Sequence, residues 1–89
     1  MNKHILLVMK WLNDKDSVGQ KELEKNKSEA YNAWYTAAHA ARTTWVAAYA
    51  TACAAASAYH VGNDVNYWVN IYFKKTGEDK NEYLKELNK

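Results

Sequence analysis

His39 and Arg42 lie one helical turn apart in a tract that carries no other permanent charge from Ala30 to Tyr59. On a helix, Arg42 shares a face with Tyr31, Tyr35, Trp45 and Tyr49. An arginine among aromatic rings can hold a phosphate while a ring stacks on a base, the combination found in nucleotide and single-strand sites. The same guanidinium can instead stack on a tyrosine or pair with an acid from another helix or subunit, and aromatic stripes at helical spacing are more often packing surface. Tyr31, Tyr35, His39, Arg42, Trp45 and Tyr49 are therefore the candidate ligand- or partner-binding residues, with both readings open.

Other chemistry is thinly supplied. His4, His39 and His60 are too widely spaced to form an i, i+4 ligand pair, so no metal is expected. Cys53 is the only cysteine, which rules out an internal disulfide; it sits at the edge of the aromatic stripe with no activating base nearby in sequence. A small buried thiol is its simplest role. With no positioned nucleophile, base or metal, neither catalysis nor a cofactor is expected. A net charge of +2, from twelve basic and ten acidic side chains, gives no strong nucleic-acid signal.

The elements that must position these residues are helical. Proline is absent, and the three glycines, Gly19, Gly62 and Gly77, cut the chain into four segments. Ile5, Val8, Met9 and Leu12 have the i, i+3, i+4, i+7 spacing of one helical face, with Trp11 at its edge, and predict a helix over 3–13. Asn13-Asp14-Lys15-Asp16 reads as a polar turn. Ser17 and Gln20 have the form of a capping box that opens a long alanine- and tyrosine-rich helix over 18–61. As one rod, the forty-two residues from Gln20 to Val61 would span about 63 Å. A break near Arg42-Thr43-Thr44 would turn that rod into two packed helices without disturbing the residue pattern.

Tyr31, Trp34, Tyr35, Ala38, Arg42, Trp45, Tyr49, Cys53 and Tyr59 fall within about a third of the rod's circumference. The opposite face carries Ala33, Thr36, Ala40, Thr43, Thr44, Ala47, Thr51, Ala54 and Ala58, small side chains that either face water or let another backbone come close. After Gly62, Val65, Trp68, Val69, Tyr72 and Phe73 predict an apolar-faced helix over 64–75, with Asn63-Asp64 supplying a stop and a new N-cap and Gly77 as C′ residue. A short charged helix over 79–88 presents Tyr83, Leu84 and Leu87 and should fray. The expected fold is all-α: one domain over 1–89, a helical hairpin or small bundle in which the helix from Asp64 folds back along the aromatic stripe.

The apolar run Ile5 to Met9 is too short for a signal-peptide core, and the uncharged stretch Thr43 to Tyr59 has too little hydropathy for a membrane span. No membrane association is expected. A core this small commonly needs regular helix packing or oligomerisation to be stable, so a homo-oligomer is expected.

Val8-Met9-Lys10-Trp11-Leu12-Asn13-Asp14, then Asp16-Ser17-Val18-Gly19-Gln20-Lys21-Glu22-Leu23 and an Ala/Tyr tract, resembles small accessory proteins of tailed, T-even-like bacteriophages. The closing stretch from Tyr67-Trp68-Val69-Asn70 through Lys74-Lys75-Thr76-Gly77 to Tyr83 looks like their C-terminal signature, and the two blocks together cover about half of the chain. That family more often reads Ser-Val-Ser-Gln-Glu-Glu-Leu before the alanine tract, so Gly19 and Lys21 are departures. The family has no established activity, and no residue roles carry over. The resemblance implies a phage accessory protein in the host cytoplasm that binds or inhibits a host or defence protein without catalysis. The alternative is a protein that sequesters a small ligand such as a nucleotide.

Overall fold

The computed structural model describes residues 1–37 and 42–89, except for the side chains of residues 42 and 43. The described residues form five α-helices: α1 (Lys3–Asn13), α2 (Gln20–Thr36), α3 (Arg42–Tyr59), α4 (Val65–Thr76) and α5 (Lys80–Leu87). Among them there is no strand. The all-α expectation holds, and so do the helices expected near 3–13, 64–75 and 79–88.

The continuous rod over 18–61 does not form. Helix α2 ends at Thr36 and α3 begins at Arg42. The molecule measures 36 × 26 × 22 Å, too short for a rod of about 63 Å. Contacts along the pair show an antiparallel hairpin. At one end Gln20 Nε2 donates to the Tyr59 carbonyl at 2.9 Å and Lys27 Nζ lies 4.6 Å from the centre of the Tyr59 ring, while at the other Trp34 meets Trp45 and Tyr49. Burial explains this outcome: a straight rod leaves both its aromatic and its alanine faces in water, whereas a hairpin buries each against another helix.

The capping box does not form either. Ser17 Oγ donates to the Asp14 carbonyl at 2.6 Å inside a short 3₁₀ turn (Lys15–Ser17), and Gln20 is committed to Tyr59. Gly19 is the N-cap of α2 and offers no side-chain hydrogen bond. Asp64 is the N-cap of α4, but its carboxylate accepts from Trp68 Nε1 at 3.1 Å rather than from backbone. Gly77 does occupy the C′ position of α4, with φ +73.

Helix α3 is central, with α2 and α4 packed along it and α1 across it. Its buried residues, Ala50, Thr51, Ala52, Ala54, Ala55 and Ala58, cover an arc of about 200° at 100° per residue, more than half of the helix. Alanine stops at Cβ, so neighbouring helices can approach closely while helix propensity stays high. This resolves the small-residue face of the sequence: at Thr51, Ala54 and Ala58 it is core, not surface. Around α3 the core is completed by Ile5, Val8, Met9 and Trp11 of α1, Leu23 and Ala30 of α2, Val65, Val69 and Tyr72 of α4, and Tyr83 of α5. A reciprocal clamp ties α1 to α2: His4 Nδ1 lies 2.7 Å from Asn26 Oδ1, and Asn26 Nδ2 donates to the His4 carbonyl at 3.2 Å.

Helix α3 ends on an unusual residue. The Gly62 N–H reaches the Ser57 carbonyl at 2.8 Å and the Val61 N–H reaches that of Ala58 at 3.1 Å, the two bonds of a Schellman motif. The left-handed position of that motif is usually glycine, but here it is Val61, at φ 53. A β-branched residue there is strained.

Candidate functional site

The hairpin folds the aromatic stripe onto itself and gathers its rings around Trp34. Trp34 is half-buried on α2, one turn beyond the buried Ala30. Ring centroids of Tyr31, Tyr35, Trp45 and Tyr49 lie 5.9, 5.5, 6.2 and 5.2 Å from it. Trp45 and Tyr49, one turn apart on α3, are parallel at 5.6 Å. Tyr49 meets Trp68 of α4 edge-on at 5.7 Å, and Trp68 meets Tyr67 at 5.0 Å. Seven rings from three helices thus form one connected cluster at spacings where aromatic pairs attract.

Four of the six candidate residues, Tyr31, Tyr35, Trp45 and Tyr49, belong to this cluster. His39 and the side chain of Arg42 lie outside the described residues. Sequence reasoning left Trp34, Tyr67 and Trp68 out of the site. Trp34 was visible in the stripe at i+3 from Tyr31; Trp68 and Tyr67 arrive from another helix, which no local spacing reveals.

The cluster is only partly covered. Tyr35 is 70% exposed and Tyr67 57%, while Tyr31, Trp34, Trp45, Tyr49 and Trp68 are half-buried. The Trp34 indole N–H is buried and has no acceptor among the described residues. A buried indole N–H usually finds one. Trp68, in contrast, is anchored by Asp64, whose carboxyl is held below its ordinary pKa first by the Ser57 hydroxyl and then by the Trp68 N–H.

Cys53 sits one turn from Tyr49. Burial raises its thiol pKa, so it is a poor nucleophile, and its contact raises that of the Tyr49 phenol as well. Among the described residues no group of three His, Cys, Asp or Glu side chains could hold a metal ion, and no helix is long and apolar enough to cross a membrane.

A second aromatic group is built differently. Tyr72 of α4 and Tyr83 of α5 are each 2% exposed, with Phe73 edge-on to both rings. The Tyr72 hydroxyl donates to Glu78 Oε2 at 2.7 Å and the Tyr83 hydroxyl donates to Glu78 Oε1. Tyr83 in turn accepts from the Asn2 N–H at 2.8 Å, and Asn2 Nδ2 donates to Thr51 Oγ1 at 3.1 Å. Burial, helped by the hydrogen bonds to Glu78 and opposed at Tyr83 by the Asn2 N–H, pushes both phenols above their usual pKa and keeps them as donors. The last helix is therefore tied to Asn2 and Glu78 through Tyr83.

Comparison of the chain with family profiles, curated proteins and solved structures found no match.

Proposed function

We propose that this is a non-enzymatic binding module, a phage-type accessory protein that works in the infected bacterial cytoplasm by covering a surface of a host or defence protein, and that it self-associates. The supporting observation is the half-covered cluster of seven rings, with Tyr35 and Tyr67 presented to solvent beside three half-buried tryptophan rings. Large aromatics are the usual anchors of protein contacts, because they bury much area for few rotatable bonds.

The test is capture of host-lysate proteins on the immobilised chain, compared with a Tyr35→Ala/Tyr67→Ala variant. Both residues are exposed, so the variant should fold. One protein should be retained near stoichiometrically by the wild type and fall about ten-fold or more on the variant. Retaining no protein reproducibly, or the same protein equally on both, sinks the reading.

A groove between α2 and α3 favours the second reading, sequestration of a nucleotide. About 410 Å³ in volume, it is lined by Lys27, Ser28, Tyr31, Asn32, Ala56 and His60, which supply a cation, hydroxyls and a ring. A nucleotide panel should then raise the melting temperature in a manner that Lys27→Ala abolishes. An unmoved melting curve removes this alternative.

A further inference from the structure

The small side chains that bring α2 and α3 together also leave a space. A cleft of about 220 Å³ opens over Ala30 and Ala33 of α2 and Ala47 and Ala48 of α3, and it exists because these side chains end at Cβ. It is smaller than the roughly 300–1,000 Å³ of sites that enclose drug-sized ligands, so it suits a small molecule or the end of a chain. Its walls include Asn2, His4, Thr51 and Glu78.

The Thr51 and Thr76 hydroxyls of the lining spend their protons on the Ala47 and Tyr72 carbonyls, so towards a ligand they can only accept. Among the described lining residues Glu78 is the one acid, and none is lysine or arginine. Its carboxylate is oriented by two buried phenols, Tyr72 on Oε2 and Tyr83 on Oε1, yet the residue itself is exposed. A carboxylate offers about four lone-pair positions, so each oxygen can accept again. The ion pairs among the described residues are Lys85–Glu82 and Lys89–Glu86, and neither involves Glu78. Asn26 Nδ2 is used on the His4 carbonyl, so Asn26 Oδ1 faces His4 Nδ1 as an acceptor; this assigns the ring proton to Nδ1 and leaves Nε2 as an acceptor in the neutral ring.

We propose that this cleft binds a primary alkylammonium group, its N–H donors directed to Glu78 and to the neighbouring acceptors and its methylenes lying on the alanine floor. Two competing cations fit less well. A divalent metal needs several hard ligands together, and no such group exists among the described residues. A guanidinium is best matched by the open bidentate edge of a carboxylate, whereas both oxygens of Glu78 already accept a phenol. An ammonium is a compact point charge with three donors and does not need that edge. The group can come from a free diamine or from a lysine side chain of a partner protein. The site is separate from the aromatic contact surface and stands or falls without it.

The test is calorimetric or NMR titration of the full chain with n-butylamine, 1,4-diaminobutane and Nα-acetyl-lysine methylamide, with n-butanol and acetyl-norleucine methylamide as uncharged controls. The amines should bind saturably and at least about ten-fold more tightly than their controls. Glu78→Gln, which keeps an acceptor for one phenol, should weaken amine binding about ten-fold or more. Ala33→Leu starts from an exposed position, so folding should survive, and it should abolish binding by filling the floor. A preference for the diamine identifies a free polyamine as the source, and a preference for the lysine derivative identifies a partner side chain. Amines that bind no better than their controls, or whose binding survives Ala33→Leu, overturn the proposal.

Discussion

The two aromatic groups use the same residue types to opposite ends. Around Tyr72, Phe73 and Tyr83 the tyrosine rings are buried and their hydroxyls are paired with Glu78 and Asn2, joining α4 and α5 to the N-terminal segment. Around Trp34 the rings touch one another but remain half in water, and the central indole N–H has no acceptor among the described residues. Aromatic content alone therefore does not separate structure from function; what separates them is how far the rings are buried and whether the central ring's polar end has a partner. The first group serves stability. The second is available for contact.

The largest test of this contrast is Tyr83→Ala, which removes a buried ring and the hydroxyl that links Glu78 to Asn2. It should cost about 3–5 kcal/mol in urea unfolding. Tyr35→Ala in the other group should change stability by no more than about 0.5 kcal/mol. A similar cost for both would erase the distinction.

Alkali should separate the groups next. The Tyr72 and Tyr83 phenols have folded pKa values above the unfolded value of 10.0, so the native state holds their protons more tightly. Their contribution to stability is present in full below the unfolded pKa and declines as pH rises above it. Each buried phenol should remove about 1.4 kcal/mol per pH unit there. Tyr72→Phe should flatten the alkaline limb of the stability profile; an unchanged limb would contradict the paired-hydroxyl account.

A smaller gain is expected at the end of α3. Val61→Gly relieves the left-handed strain and should raise stability by about 1 kcal/mol, read as an increase in urea midpoint at constant slope. The smallest effect belongs to the exposed ion pair Lys85–Glu82, where Lys85→Ala should cost no more than about 0.5 kcal/mol.

The sequence revealed the helices whose apolar spacing is strong and whose ends carry glycine or a cap, as with Val65, Val69, Tyr72 and Gly77. It left open whether α2 and α3 divide, allowing a break near Arg42-Thr43-Thr44 without requiring one, because the residues between Thr36 and Arg42 are alanines and a histidine, good or neutral helix formers without glycine or proline. The division follows from burial of faces that no local window weighs. Ser17 and Gln20 misled for a similar reason: each found a tertiary or turn partner in place of the reciprocal cap. The rings of the candidate site were legible on α2 and α3. The part supplied by Trp68 and Tyr67, and the role of Glu78 between two phenols, depend on pairings across helices.

The hydrogen bond from Asn2 to Tyr83 spans 81 positions of the chain, whereas the main helix contacts, α2 with α3 and α3 with α4, join consecutive elements. Local pairings form early at low loop-closure cost, and a distant one waits for them. The three central helices should thus assemble first, with the N-terminal segment and α5 closing last as a coupled pair. In the native state the same order runs in reverse. Amide exchange should reveal joint opening of Asn2 and α5 at lower free energy than opening of α3, so that a phenol buried in the native state belongs to the part that opens first.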